Sequence, residues 1–431
     1  MSGTSPGASP DVVLGELGVL LLDGGTSVTD VRGSLELVRR AVASEDDLEF
    51  AVLPEIVWVN RPGTASATTT VMGGGALTFR QAAHASRLVR ALQTGTVPLS
   101  EVRERIAAIR GISRRMPVLQ SLLGATLISV GLAILFRCPW WAIVLSSAVG
   151  LVVGVLMEGM MRIRSAAAVA PFLSAFASTL IVGTVAGALD VGAVPLFAVC
   201  APIAILVPGA LITNALLELT ATDIVTGASR LMYGLIMLAF MAAGVFAGAA
   251  LTGLRIDSAS AALVGETVQL STDRGGWEAL PPLGFAWIGV VLLAIGIGLA
   301  FGSGFRLTIV CVVVMLGTYA VLSMLGPLVG SVVATGLAAT LLFLAARVLE
   351  RITLAVPATV SFQPAFLLLV PGTVGLVALA SFDAQALASA PMIFLSLCIG
   401  TKVGALLADL ARITRSAVRI RPRRAGRIGE L

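Results

Sequence analysis

The sequence has 431 residues, 57% of them hydrophobic and only 12% charged, with a formal net charge of +5 and a mean hydropathy of +0.99. So few charges cannot cover the apolar surface of a soluble protein of this length, which leaves an integral membrane protein. The positive balance is not a nucleic-acid footprint, because Arg412, Arg415, Arg419, Arg421, Arg423, Arg424 and Arg427 crowd a tail that directly follows an apolar segment, as cytoplasmic juxtamembrane tails do.

The first ten residues, "MSGTSPGASP", are small and polar and read as a disordered start. They lack the charged segment and apolar core of a cleaved signal peptide, so the N-terminal region is expected to stay in the cytosol. Residues 11–115 read as a small α/β domain. In "DVVLGELGVLLLDGG" a helical pattern is stopped by Gly24 and Gly25, and the next helix starts near Ser27 with Asp30 three positions on, a capping-box-like arrangement. Val28, Val31, Leu35, Val38 and Val42 then make one buried stripe at helical spacing. "LEFAVLP", "EIVWVN" and "ATTTVMG" read as strands separated by turn residues. "TFRQAAHASRLVRALQTG" and "LSEVRERIAAIR" read as two closing helices, and Arg114 and Arg115, beside Pro117, face the membrane.

This domain carries no catalytic signature. His84, the only histidine, shares a polar helical face with Arg80 and Arg87 and reads as a surface residue. Asp23, Asp30 and Glu55 offer no nucleophile–base arrangement, so no enzyme activity is expected. The glycines at 73–75 lack a following lysine, so ATP is not implied. Cys138, Cys200, Cys311 and Cys398 lie far apart in or beside apolar segments and read as small buried hydrophobes, so neither a metal nor a cofactor is expected.

From Pro117 onwards about ten spans of membrane-crossing length follow, near 117–136, 139–157, 169–189, 193–217, 230–252, 281–301, 305–325, 327–346, 356–380 and 389–410. Crowding around 305–346 leaves nine or eleven conceivable. With the N-terminus inside, the short cytoplasmic connections receive Arg162, Arg164, Arg230, Arg306, Arg347 and Arg351, against Arg137, Arg255 and Arg274 opposite. This matches the positive-inside rule and places both termini in the cytoplasm of a multi-pass cell (inner) membrane protein. The expected organisation is a first transmembrane repeat over 116–255, an extracytoplasmic loop over 256–280, a second repeat over 281–411 and a basic cytoplasmic tail over 412–431.

The repeat is written in prolines. Pro195, Pro202 and Pro208 run into "LVPG", and Pro357, Pro364 and Pro371 run at nearly the same intervals into the same four residues. These are the fourth and ninth spans, so each half holds five, and an odd number inverts the second copy in the membrane. The expected fold is therefore an α-helical polytopic protein of two inverted five-helix repeats, a plan of secondary transporters that bind substrate at the repeat interface. Pro208 cannot donate to the carbonyl of Ala204, nor Pro371 to that of Leu367, so each helix is expected to break there and face protein or a wet cavity. A helix restarting at Pro-Gly offers free N–H groups to a carboxylate, and the carbonyls released upstream suit an ammonium. A zwitterionic amino acid complements both, which makes Pro208, Gly209, Pro371 and Gly372 candidate substrate-binding residues.

With these motifs in place, the chain resembles the threonine/serine exporter family. The stretches "LLLDGGTSVTDVRGSL" and "TFRQAAHASRLVRALQTGTVPLSEVRERIAAI" are similar to that family's cytoplasmic domain. "LVPGALITNALLELTATDIVTGASRL" is similar to its most recognisable membrane segment, with Pro208, Gly209, Asn214, Asp223, Gly227 and Arg230 in place. The resemblance covers nearly the whole chain and its domain order. It implies export of L-threonine and L-serine from the cytoplasm, driven by the proton motive force, with protons and the lipid bilayer as the other partners. The second "LVPG" lacks an Asn and an Arg in corresponding places, so the halves are not equivalent. Homo-oligomerisation is left open.

Intramembrane polar groups are expensive and point to function. Asn214 offers a donor and an acceptor to a substrate hydroxyl or carboxylate, or holds two helices together, and Thr213 either joins it or bonds back to its own helix. Asp223 and Arg230, about two turns apart, suit a gate or salt bridge, and Glu218 shares that candidacy. Glu158 suits proton coupling by a desolvated carboxyl, or an i, i+4 pair with Arg162. Lys402, the only lysine, lies well inside the last span, where Asp409 or another carboxylate is its expected partner, snorkelling being the alternative. Two rival readings are an importer or exchanger of another small neutral solute, and a membrane-anchored regulator or enzyme, against which the duplicated broken helix argues.

Overall fold

The computed structural model describes residues 9–42, 47–61, 67–71, 75–163, 166, 168–257, 276–353, 365, 368–369 and 384–419. The chain opens with α1 (Pro10–Asp23) and α2 (Val28–Val42), followed by β1 (Glu49–Val52), β2 (Ile56–Asn60) and β3 (Ala67–Val71), then α3 (Phe79–Gln93) and α4 (Val102–Arg110). The strands form one antiparallel sheet in the order β1-β2-β3, with Val52 opposite Val57 and Ile56 opposite Val71.

Local chemistry sets these boundaries. The carbonyls at the end of α1 are closed by the N–H groups of Gly24, Gly25 and Thr26. Gly25 takes φ 80, a left-handed conformation that glycine adopts without a Cβ clash. Ser27 then starts α2: the Asp30 N–H donates to its Oγ at 3.2 Å while the Oγ donates to the Asp30 carboxylate at 2.8 Å. Val28, Val31, Leu35 and Val38 are buried on one face of α2, against Leu14, Leu17, Val57 and Leu92 in a core separate from that of the membrane helices. Thr78 and Gln81 form a reciprocal capping box at the start of α3.

Among the described residues after α4, eight helices and one broken segment follow, with Val194–Pro195 and Ile256–Asp257 paired as two short parallel strands. The helices are α5 (Pro117–Leu135), α6 (Trp140–Met160), α7 (Ala170–Ala188), the broken pair α8 (Leu196–Cys200) and α9 (Gly209–Leu219), α10 (Ile224–Thr252), α11 (Phe285–Ala300), α12 (Phe305–Val329), α13 (Ser331–Thr353) and α14 (Ala384–Arg419). Among the described residues, seven of these helices contain a stretch long and apolar enough to cross a membrane, in α5, α6, α7, α10, α12, α13 and α14. Two shorter apolar helical segments, Ala204–Leu219 and Phe285–Ala300, fall on the expected windows 193–217 and 281–301. The chain is a polytopic helical membrane protein. Of the expected span at 356–380 only residues 365 and 368–369 are described, and Pro371 and Gly372 lie outside the described residues.

Glycine seams set the closest helix crossings. In the antiparallel pair α5 and α11, a Cβ on Gly131 would lie 2.6 Å from the Leu293 nitrogen, and one on Gly289 would lie 2.7 Å from the Gly131 oxygen. At the other end of the crossing, a Cβ on Gly124 would meet the Ala300 nitrogen at 2.6 Å, and one on Gly296 the Ile128 nitrogen at 2.7 Å. The backbones touch because there are no side chains to hold them apart. A second seam joins α10 to α7, where Gly244 packs on Phe172 and Gly248 on Thr179. A third joins α14 to α13, where Gly400 packs on the Gly336 backbone and Gly404 on Thr340 and Phe343.

Candidate functional site

The segment from Pro195 to Leu219 leaves helical geometry twice. Helix α8 ends at Cys200, a turn passes Pro202, and residues Ala204–Leu206 make one 3-10 turn before α9 restarts at Gly209 with Pro208 in the N-cap position. The break at Pro208-Gly209 therefore follows the expectation from proline, with one correction to its chemistry. The Ala204 carbonyl is not orphaned, because the tightened turn brings the Val207 N–H to it at 3.1 Å.

The carbonyls that need outside help lie further upstream. Pro202 has no N–H to offer Ala198, and the Ala198 carbonyl takes the Ser146 hydroxyl of α6 at 3.4 Å. The next carbonyl, of Val199, takes the Ser178 hydroxyl of α7 at 2.9 Å. Ser129 of α5 completes the chain by donating to the Ser146 carbonyl at 2.7 Å. All three serines are fully buried, and Ser174, one turn before Ser178, is buried without a hydrogen-bond partner among the described residues. Sequence reasoning missed these serines. The one signal for them was arithmetic: Pro202 deprives the residue four positions back, and a small hydroxyl on a neighbouring span is the usual remedy in lipid.

Thr213 donates to the Gly209 carbonyl of its own helix at 2.9 Å and is buried, so its hydroxyl is engaged within α9. Among the described residues Asn214 does not bridge two membrane helices. Its side-chain amide donates to the Gly25 carbonyl in the N-terminal domain at 2.9 Å.

That contact opens a cluster that joins the N-terminal domain to the α9–α10 junction. Glu218, with no solvent exposure, accepts through Oε1 from the Val28 N–H at the start of α2, at 2.9 Å, and from the Arg230 guanidinium of α10. Its Oε2 has no partner among the described residues. Asp223, in the N-cap position of α10, accepts from the Thr29 hydroxyl at 2.6 Å and from Arg32 at 2.9 Å. The Arg347 guanidinium of α13 lies 3.9 Å from Asp30. Asp223 and Arg230 thus belong to one cluster, yet they do not pair: Arg230 holds Glu218, and Asp223 holds α2. The N-terminus of α2 suits two carboxylates, because its free N–H groups and helix dipole favour negative charge there.

The remaining candidates lie elsewhere. Lys402 donates to the Leu217 carbonyl near the end of α9 at 3.3 Å, so its described partner is a backbone oxygen. The Asp409 side chain lies outside the described residues. Glu158 faces Arg162 one turn on at 3.9 Å, both partly exposed, which is the i, i+4 geometry of a helix surface rather than of a buried proton site.

The N-terminal domain touches the bundle at a second place. The Phe79 and Arg80 N–H groups at the start of α3 donate to the Phe301 and Gly302 carbonyls between α11 and α12, at 2.9 and 3.2 Å. The Phe79 and Phe301 rings stack with centroids 5.2 Å apart. Arg114 donates to the Ala300 carbonyl at 2.9 Å, and burial lowers its pKa from the ordinary arginine value. Asp23, at the end of α1, is buried against Arg110 at 2.6 Å; burial pushes its pKa up and the guanidinium opposes that rise. Among the described residues no group of three His, Cys, Asp or Glu side chains could hold a metal ion.

A family model described as "Putative threonine/serine exporter" matches residues 12–252, a range that runs from α1 through the end of α10 and includes both partners of the Glu218 cluster. No curated protein and no solved structure matches the chain.

Proposed function

The chain belongs to the threonine/serine exporter family, and on that premise we propose that it exports L-threonine and L-serine from the cytoplasm by proton antiport. The substrate is held beside the Pro208-Gly209 break, its carboxylate toward the start of α9 and its ammonium toward upstream backbone oxygens. The second proline run, which ends in Pro371-Gly372, supplies the other side of the site. The N-terminal domain and the basic tail lie in the cytoplasm, and the spans cross the cell (inner) membrane.

One observation carries the transporter reading beyond the family name: the reciprocal glycine seam between α5 and α11. Gly124 and Gly131 stand seven residues apart on α5, Gly289 and Gly296 stand seven apart on α11, and each pair packs on the backbone of the other helix. Gly289 follows Gly124 by 165 positions, and Pro371 follows Pro208 by 163. Two antiparallel helices related by nearly the same offset as the two proline runs are what an inverted repeat would have at its local two-fold axis. The other seams correspond in their order along the chain, at a shorter offset of 156 positions between Gly244 and Gly400 and between Gly248 and Gly404. Gly244 and Gly248 on α10 pack on α7, Gly400 and Gly404 on α14 pack on α13, and α14 follows α13 as the last described helix of its half, as α10 does after α7. A helix that merely anchored a cytoplasmic domain would need neither a duplicated bundle nor a broken span.

The test is efflux. Cells preloaded with a threonine-containing dipeptide should release threonine faster with this protein than without it, and collapse of the proton gradient should abolish the difference. Equal release with and without the protein overturns the export reading. Release that survives collapse of the gradient removes proton coupling.

A further inference from the structure

The buried cluster at Glu218 has a chemistry that a static dock does not require. A domain could be held to a membrane bundle by exposed ion pairs and apolar contact alone. Here a fully buried carboxylate spends one oxygen on two donors from different parts of the chain, Val28 and Arg230, while its other oxygen has no partner among the described residues. Charge-assisted hydrogen bonds to such a carboxylate are strong while it is ionised and fall to neutral strength when it is not. The contact is therefore conditional on one proton.

We propose that residues 25–32 and 214–230 form a latch that closes the transport path on the side of the N-terminal domain, and that protonation of Glu218 opens it. This rests on the proton-coupled export reading and names the residue and the moving contact through which that coupling acts.

The proton goes to Oε2, the oxygen that no described donor occupies. Oε1 then loses most of its negative charge, and with it the strong bonds to the α2 N-terminus and to Arg230. The surrounding charges turn against closure. Among the described residues, Arg230 on α10, Arg32 on α2, Arg347 on α13 and Lys402 on α14 are the cations of this region, while Asp30 on α2 and Asp223 before α10 are the other anions. Asp30 and Asp223 also repel an ionised Glu218, so the Val28 N–H first, and then the ion pair with Arg230, make the charged, closed form tolerable. Once Glu218 is neutral, Arg230 stays buried without its counter-charge, and separating the domain from the bundle gives it water.

The direction fits antiport. The proton-loaded protein opens toward the cytoplasm and releases its proton there, and amino acid enters. The ionised Glu218 then draws Val28 and Arg230 back and closes the path behind the substrate. Thr29 and Arg32 on Asp223, and Gly25 on Asn214, set the register in which α2 returns.

Two measurements on the full chain test this. Spin labels on Leu37→Cys and Ile224→Cys, both exposed, report the separation of α2 from the start of α10, and the four native cysteines are buried. The parent should show one short distance at alkaline pH and a longer component at acidic pH. With Glu218→Gln, which mimics the neutral acid in nearly the same volume, the longer component should be present at both. Distances in the parent that ignore pH, or a Glu218→Gln protein that follows the parent at every pH, overturn the proposal, and neither result depends on what is transported. Second, a disulfide between Thr29→Cys and Asp223→Cys should lower threonine efflux from proteoliposomes by about tenfold or more, with recovery on reduction. Full efflux through the cross-linked protein overturns the latch. Absence of efflux in the parent overturns the export reading instead, while the spin-label distances still decide the latch.

Discussion

Asn214 donates its side-chain amide to the carbonyl of Gly25, 2.9 Å away and 189 positions earlier in the chain. The residue that looked most like a reader of substrate hydroxyls holds the N-terminal domain in place. Asn214→Ala should therefore cost about 0.5–1.5 kcal/mol, the net worth of one hydrogen bond. Hydrogen exchange of residues 25–32 should speed up while the threonine concentration for half-maximal export stays put. A weaker apparent affinity with unaltered exchange would return Asn214 to the substrate site.

Arg110 neutralises a carboxylate that burial disfavours. Arg110→Ala leaves Asp23 without its described counter-charge and should destabilise the N-terminal domain by about 2–3 kcal/mol, less than for a fully buried pair because Arg110 is partly exposed. The folded pKa of Asp23 is already raised, so folding favours its protonated form, and that contribution is present at low pH and lost as pH rises through the raised value. Removing the guanidinium raises it further. The deficit of the variant, followed by denaturant-dependent exchange, should shrink as pH falls into the carboxylate range; a deficit independent of pH contradicts the assignment.

Gly131 and Gly289 share one contact, so their substitutions should not add. Gly131→Ala and Gly289→Ala each press a Cβ into backbone and should each cost about 1–3 kcal/mol. The double variant should cost clearly less than the sum, because separating the helices once relieves both clashes. Melting of the purified protein, compared across the four members of the cycle, measures this directly. Additive losses would mean the two clashes are relieved independently.

Ser178→Ala strips the Val199 carbonyl of its described side-chain donor. A buried acceptor left unsatisfied costs about 1–3 kcal/mol, and Ser178→Thr should recover much of it by restoring the hydroxyl. The alanine variant should melt earlier and export more slowly, and the threonine variant should lie between. If both variants match the parent, the carbonyl finds another donor and the serine is incidental.

His84 provides a single-site pH probe, since the chain has no other histidine. Burial first, then Arg87 and Arg80, push its pKa below the ordinary 6.5, so folding favours the neutral ring. Stability from this source is complete above 6.5 and is lost as pH falls through the depressed folded value. The lone imidazole signal in a full-length sample should titrate below 6.5; a midpoint above it would show that a carboxylate, not arginine and burial, governs the ring.

Much of this architecture was legible in the sequence because it is periodic or local. The α2 stripe of Val28, Val31, Leu35 and Val38 and the Gly24-Gly25 stop read directly into the helices observed. So did the turn residues between strands and the loss of an N–H at Pro208. What escaped was long-range. Nothing in the spacing of "GGTSVTDVR" or of "NALLELTATDIVTGASR" says that one would bind the other, because a contact across about 190 positions leaves no periodic mark in either. The serines that serve the broken segment escaped for another reason: Ser129, Ser146 and Ser178 look like the many small residues that let membrane helices approach, until Pro202 shows which carbonyl lacks a donor.

The α5–α11 crossing restricts how this molecule can change shape. Glycine meets backbone near both ends of the contact, so sliding one helix along the other drives main-chain atoms into each other within a fraction of a turn. Twisting about the crossing point keeps those four glycines near their partners. Such a joint resists sliding more than it resists twisting, so the two helices hold their register as a pair.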